Sequence, residues 1–177
     1  MSRLKKILRN LIILAVLFTI FIMRTGLFLN PISAHEHSEK SLHFGPSEIV
    51  HIQDYAKNIH ILGKFDNWIS CNTVNRVAYL LWRARGSSQF ENDKSKALDY
   101  SWGYYEDYYK VYGAINDSRI KRVVLTVDNE EVLSQTEFHD ALFLFTLELD
   151  IDENFPFIGI KAYDQSDKII FEKSREG

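Results

Sequence analysis

From Ser47 onward the apolar residues of this chain arrive in short runs broken by polar turn formers, and that punctuation restricts the fold more than any other feature. Ile49 and Ile52, then Ile59, Ile61 and Leu62, read as two strands about a Lys57-Asn58 turn. Lys110 to Ile115 and Ile120 to Val127 alternate or run apolar with β-branched residues, and Asp128-Asn129-Glu130 makes a turn. Ala141 to Leu149 (ALFLFTLEL) is dense enough in apolar side chains to predict a central strand. Phe157 to Tyr163 and Lys168 to Glu172 flank Asp164-Gln165-Ser166-Asp167, a hairpin loop.

Val74 to Arg85 is ambiguous. Val74, Val77, Ala78 and Leu81 have helical spacing, while Val77-Tyr79-Leu81 and Ala78-Leu80-Trp82 also fit a strand buried on both faces. Gly86-Ser87-Ser88 ends the segment on either reading, and Glu91 to Leu98 is a loop or one helical turn. The expected fold is mainly β: an antiparallel sandwich or bent sheet with little helix.

The first thirty residues predict an address. Arg3, Lys5, Lys6 and Arg9 form a basic head, and Leu11 to Met23 follow as an apolar run relieved only by Thr19. After Arg24 a second short stretch, Leu27 to Leu29, brings the apolar length to 19 positions counted from Leu11, near the roughly 20 that cross a bilayer. An uncleaved signal anchor is expected over 1–34, with its basic head cytoplasmic and the remainder outside a bacterial cell membrane. Ile32-Ser33-Ala34 also ends in the small residue a signal peptidase accepts, and cleavage there makes the protein secreted. His35 to Pro46 reads as a polar stalk (35–46), and 47–177 as the extracytoplasmic β-rich domain.

Charge narrows the partners. Five of the 21 basic residues precede Ala34, which leaves 16 against 24 acidic ones beyond it, a net of −8. That balance argues against nucleic acid and against docking on anionic lipid. The single cysteine, Cys71, forms no intrachain disulfide, so stability rests on packing.

The succession IVHIQDYAKNIHILGKF, VAYLLWRA, VYGAINDSRIKRVVL and IKAYDQSDKIIFE resembles a loose group of small bacterial secreted or membrane-tethered β-rich proteins of unknown function. The likeness spans Ser47 to Lys173. It implies the β-rich fold and the envelope location, and no catalytic residues.

Among candidate sites, Tyr100 to Tyr112 (YSWGYYEDYYKVY) is the densest feature. Aromatic faces stack on sugars and on protein hot spots, so Trp102, Tyr104, Tyr105 and Tyr108 are the expected binding residues, facing an envelope protein or a cell-wall glycan. The alternative places alternate tyrosines in the core and the rest along a sheet edge. Glu106 and Asp107, adjacent in a strand, point to opposite faces and make a poor glycosidase pair. A rival of another class is a wall hydrolase or transferase using Cys71 and His139, with Cys71 at the N-terminus of a helix over Asn72 to Arg85, where the dipole lowers a thiol pKa. In chain order the pair resembles papain-like and transglutaminase-like hydrolases. His35 and His37 are the candidate metal ligands, the more so if cleavage exposed the amine of His35. Asp150, Asp152 and Glu153 have a spacing compatible with Ca²⁺ but read as a solvated loop. No cofactor is expected, and no Gly-x-Ser-x-Gly, His-Glu-x-x-His or phosphate-binding glycine loop is present.

Overall fold

A computed structural model describes residues 3–105, 108–148 and 157–173. Two helices, α1 (Arg3–Thr25) and α2 (Pro31–Ser41), precede eleven strands. These are β1 (Glu48–Tyr55), β2 (Asn58–Phe65), β3 (Trp68–Ala78), β4 (Leu81–Glu91), β5 (Leu98–Tyr105), β6 (Tyr108–Ile115), β7 (Arg122–Val127), β8 (Glu130–Gln135), β9 (Leu142–Glu148), β10 (Ile158–Tyr163) and β11 (Ile169–Lys173). The mainly-β, antiparallel expectation is met: the strands form three antiparallel sheets in the orders β1-β2-β3-β4, β5-β6-β9 and β11-β10-β7-β8.

The period-two alternation of side chains stacks these sheets into layers. On β2, Ile59 and Ile61 point toward α2 and meet Ala34, Val74 and Trp82. Leu62, the residue after Ile61, points the other way and packs, with Ile69 and Cys71, against Tyr112, Ala114, Leu142 and Leu144 of the second sheet. That sheet's opposite face, carrying Leu98, Val111, Phe143 and Phe145, meets Val123, Leu125, Ile160 and Ala162 of the third. The order is therefore α2, first sheet, second sheet, third sheet, and β6 in the middle is buried from Tyr108 to Ala114. Gly113 makes the close packing possible: a Cβ there would lie 2.4 Å from the Asp99 carbonyl oxygen and 2.6 Å from the Phe143 ring.

The ambiguous segment Val74 to Arg85 is not a helix. It is the end of β3, a tight tip at Tyr79-Leu80, and the start of β4. Gly86-Ser87-Ser88, expected to end it, continues β4 opposite Asn72 and Thr73, with a register shift at Val74. The turn expected at Lys57-Asn58 lies one residue earlier, at Ala56-Lys57 (Ala56 φ 53°), with Asn58 already in β2 opposite Tyr55; Asp128 (φ 49°) and Asn129 (φ 72°) join β7 to β8 as expected.

The N-terminal segment departs most from expectation. α1 forms where the apolar run predicts a helix, yet among the described residues no helix is long and apolar enough to cross a membrane. The apolar length of 19 is not one helix, because α1 ends at Thr25 and Gly26 turns the chain with φ 64°. Leu27 is buried, and Phe28 exchanges two backbone hydrogen bonds with Trp82 (2.8 and 2.7 Å). What remains apolar within α1 rises about 20 Å, against a hydrocarbon core of about 30 Å.

Where a solvated stalk was expected, α2 docks on the first sheet. Asn30 caps it, accepting a hydrogen bond from the Ile32 amide at 2.8 Å, and Pro31 occupies the first turn. Ala34, His35, Ser38 and Glu39 form its buried face.

Candidate binding surface

β5 is a terminal strand of the middle sheet, and its alternation sorts the tyrosine-rich segment. Leu98, Tyr100, Trp102 and Tyr104 share one face. At the Leu98 end this face lies under the third sheet, where Tyr100 packs edge-on to Phe171 at 6.4 Å between ring centroids. Farther along, cover runs out: Trp102 is 58% exposed and Tyr104 43%. Tyr109 of β6, directly opposite Tyr104, lies beneath both, its ring 6.2 Å from Trp102 and 4.9 Å from Tyr104. Its phenol is buried and finds no hydrogen-bond partner among the described residues. Burial, and secondarily the neighbouring Tyr104, raises its pKa. The result is an exposed aromatic ledge propped from below, with rings held before any partner arrives.

Of the four expected binding residues the structure thus brings two to the surface. Tyr108 is 5% exposed and faces inward, against Tyr55 and His60 at 5.1 and 5.3 Å. It is core, because one step along β6 reverses the direction of a side chain. The backbone of Tyr105 pairs with Tyr108 at the end of the hairpin. Glu106, Asp107, Asp150, Asp152 and Glu153 lie outside the described residues. Sequence reasoning missed Tyr109; the pairing of Tyr105 with Tyr108 sets it opposite Tyr104, and counting strand register outward from that pair is the signal that could have found it.

The other candidates are placed as follows. Cys71 is not at a helix start but inside β3, fully buried between Leu62 and Ser88 in the strand register. Burial raises its thiol pKa, opposed in part by nearby Lys110, the reverse of what activates a nucleophile. His139 is not its neighbour in the register; its ring stacks on His51, 3.6 Å between centroids. His35 and His37 diverge on α2. His35 is buried, and His37 is exposed with its ring 5.1 Å from Phe28. Among the described residues no group of three or more His, Cys, Asp or Glu is placed to hold a metal ion.

Two polar networks appear that sequence reasoning did not foresee. Beneath α2, His35 accepts from the Asn72 amide at Nδ1 (2.8 Å), and its Nε2 lies 3.3 Å from both Glu39 and Ser47. Ser47 in turn donates its hydroxyl and its amide to the Glu39 carboxylate. Serine, histidine and carboxylate meet here, but both partners use the same imidazole nitrogen and His35 and Glu39 are buried, so the group fastens α2 rather than performing acyl transfer. Between the first and second sheets, buried Lys110 donates to the Cys71 carbonyl (2.5 Å) and the Thr73 hydroxyl (3.2 Å). His60 Nδ1 lies 3.1 Å from the same hydroxyl. Burial lowers the pKa of Lys110 and pushes His60 down to about 4.

No family model, curated protein or solved structure matches this chain.

Proposed function

We propose that this protein is a non-enzymatic binding module of a bacterial envelope, held at the membrane by α1 and engaging another envelope component through Trp102 and Tyr104. The observation that carries the reading is the ledge: two large aromatic side chains exposed on a terminal strand and backed by a third ring. Exposed aromatics at such a position are the residue types that dominate binding energy, because they bring large rigid area at low entropy cost. A protein segment or a wall glycan offers complementary chemistry, since either presents C–H faces for stacking and hydroxyls or amides for the phenol rim.

Membrane attachment is supported by the surface of α1. Its apolar side chains from Leu11 to Phe21 are about half exposed around the helix, so none of the three sheets covers them. Thr19 returns its hydroxyl to the Ala15 carbonyl (2.9 Å), leaving that donor satisfied in lipid. Outward presentation follows if Arg9 and Arg24 snorkel to opposite headgroup layers, which would offset the short apolar length. Residues 27–34 support retention of the segment, because Leu27, Phe28 and Ala34 are packed parts of the fold.

The test is a crosslinking pull-down of the tagged full-length protein from intact cells, with Trp102→Ala/Tyr104→Ala as comparison. A partner captured by the parent and lost by the variant, with cooperative unfolding unchanged, supports the module and its face. Equal capture by both proteins removes the ledge as the site. Co-sedimentation with wall fragments, lost in the same variant, identifies a glycan instead of a protein.

A further inference from the structure

The β3–β4 hairpin projects a second apolar feature. At its tip Val77 is 47% exposed, Tyr79 89% and Leu80 63%. Three large apolar side chains standing together in solvent is an unusual arrangement for a turn, where polar residues and glycine prevail.

Position and charge say what covers it. The strand that leaves the tip is tied to the end of α1: Trp82 pairs with Phe28, three residues after the helix stops. Around this end lie Arg24 at the close of α1, Lys57 (whose carbonyl accepts the Arg76 amide at 3.0 Å), Arg76 itself, Arg83 and Arg85. Arg76 sets its guanidinium 4.6 Å from the centre of the Trp82 ring. Glu36, Asp54 and Glu148, which hydrogen-bonds with Tyr55, are the acids near this end, fewer than its five basic residues, so it is basic on a protein whose residues beyond Ala34 carry a net of −8. A cleft of about 720 Å³ beside it is lined by Arg24, Asn30, Ser33 and His37 together with Leu27 and Phe28, a mixture of polar and apolar groups such as the junction between acyl chain and headgroup offers.

We infer that the tip of the β3–β4 hairpin inserts into the headgroup layer of the bilayer that holds α1, with Tyr79 and Leu80 reaching the acyl boundary and the flanking arginines meeting lipid phosphates. The inference rests on the membrane attachment proposed above and adds a second point of contact. One helix leaves a domain free to swivel, whereas helix and hairpin together set its orientation and hold the ledge at a defined attitude. Tyrosine with leucine and flanking arginine is the composition that membrane–water interfaces select.

The test uses the full-length chain with Tyr79→Cys carrying a polarity-sensitive dye, reconstituted into vesicles of phosphatidylcholine with a minority of phosphatidylglycerol. Cys71 is fully buried and stays unlabelled in the native protein. Lys94→Cys, exposed beyond the far end of β4, is the comparison site. The expected result is a blue-shifted, brighter emission at position 79 and a water-like emission at 94, with Leu80→Asp returning position 79 toward water. Water-like emission at both sites, in protein that floats with the vesicles, overturns the inference while leaving the attachment standing. Protein that does not float overturns the attachment and the inference with it.

Discussion

His60 lies on β2 without exposed surface, bonded at Nδ1 to Thr73 and unpartnered at Nε2 among the described residues. Burial first, then the charge of Lys110, hold its pKa at about 4. In the unfolded chain the imidazole takes a proton near pH 6.5. Between these values the unfolded state binds the proton and the folded state does not, so stability falls as pH drops through that window. The full loss is about 3 kcal/mol, from about 1.4 kcal/mol per pK unit. Burial lowers the pKa of His35 as well, so its contribution has the same sign. Denaturant midpoints measured between pH 7 and pH 4.5 should fall, and His60→Gln should flatten that slope. Equal slopes in parent and variant would show that His60 is not the source. At this scale the sequence was legible only in part. Ile61 and Val111 were evident core from their types, but the inward turn of Lys110 and His60 was not, because a charged residue in a strand points to solvent by default.

α2 shows the same effect for an element. Its buried face is Ala34, His35, Ser38 and Glu39, a polar set that reads as solvated until Asn72 and Ser47 are brought beneath it. The signal that could have revealed it is the Asn30-Pro31 cap, followed by His35 and Glu39 at helical spacing. A chain beginning at Leu27 should unfold with the midpoint of the full-length protein. One beginning at His35 should lose about 2–5 kcal/mol, the usual range for opening a buried apolar site, because Ile59, Ile61, Val74 and Trp82 lose the residues that cover them. Equal midpoints would mean that residues 27–34, with Ala34 of α2 among them, contribute nothing to the fold. Strands β1, β2, β6, β7, β9, β10 and β11 were legible from alternation and turn chemistry. β8 was not: its residues Glu130 to Ser134 are exposed on both sides, so burial left no period in the sequence.

For the molecule as a whole, the middle sheet is the decisive feature. It is covered by the first sheet through Tyr112 and Leu144 and by the third through Val111 and Phe145. Amide exchange in the native state should therefore be slowest in β6, followed by the Leu142 to Phe145 part of β9, and fast in the exposed β8. Fastest exchange in β6 would contradict the layer order. The apolar density of ALFLFTLEL predicts a central strand, and β9 is central in depth, although it is terminal in its sheet. Apolar density reports burial of both faces and is silent on hydrogen-bond neighbours.

By itself the sequence determined the class of the fold and several of its turns, because alternation, β-branching and turn residues act over a few positions. It also determined that an apolar helix with a basic head begins the chain. Only the tertiary structure decided which tyrosines are core and which form the ledge, that Leu27 and Phe28 belong to the sheets rather than to α1, and that His35, His60 and Lys110 are buried. Those outcomes depend on which layer lies opposite each face, a relation between residues far apart in the chain that no local pattern carries.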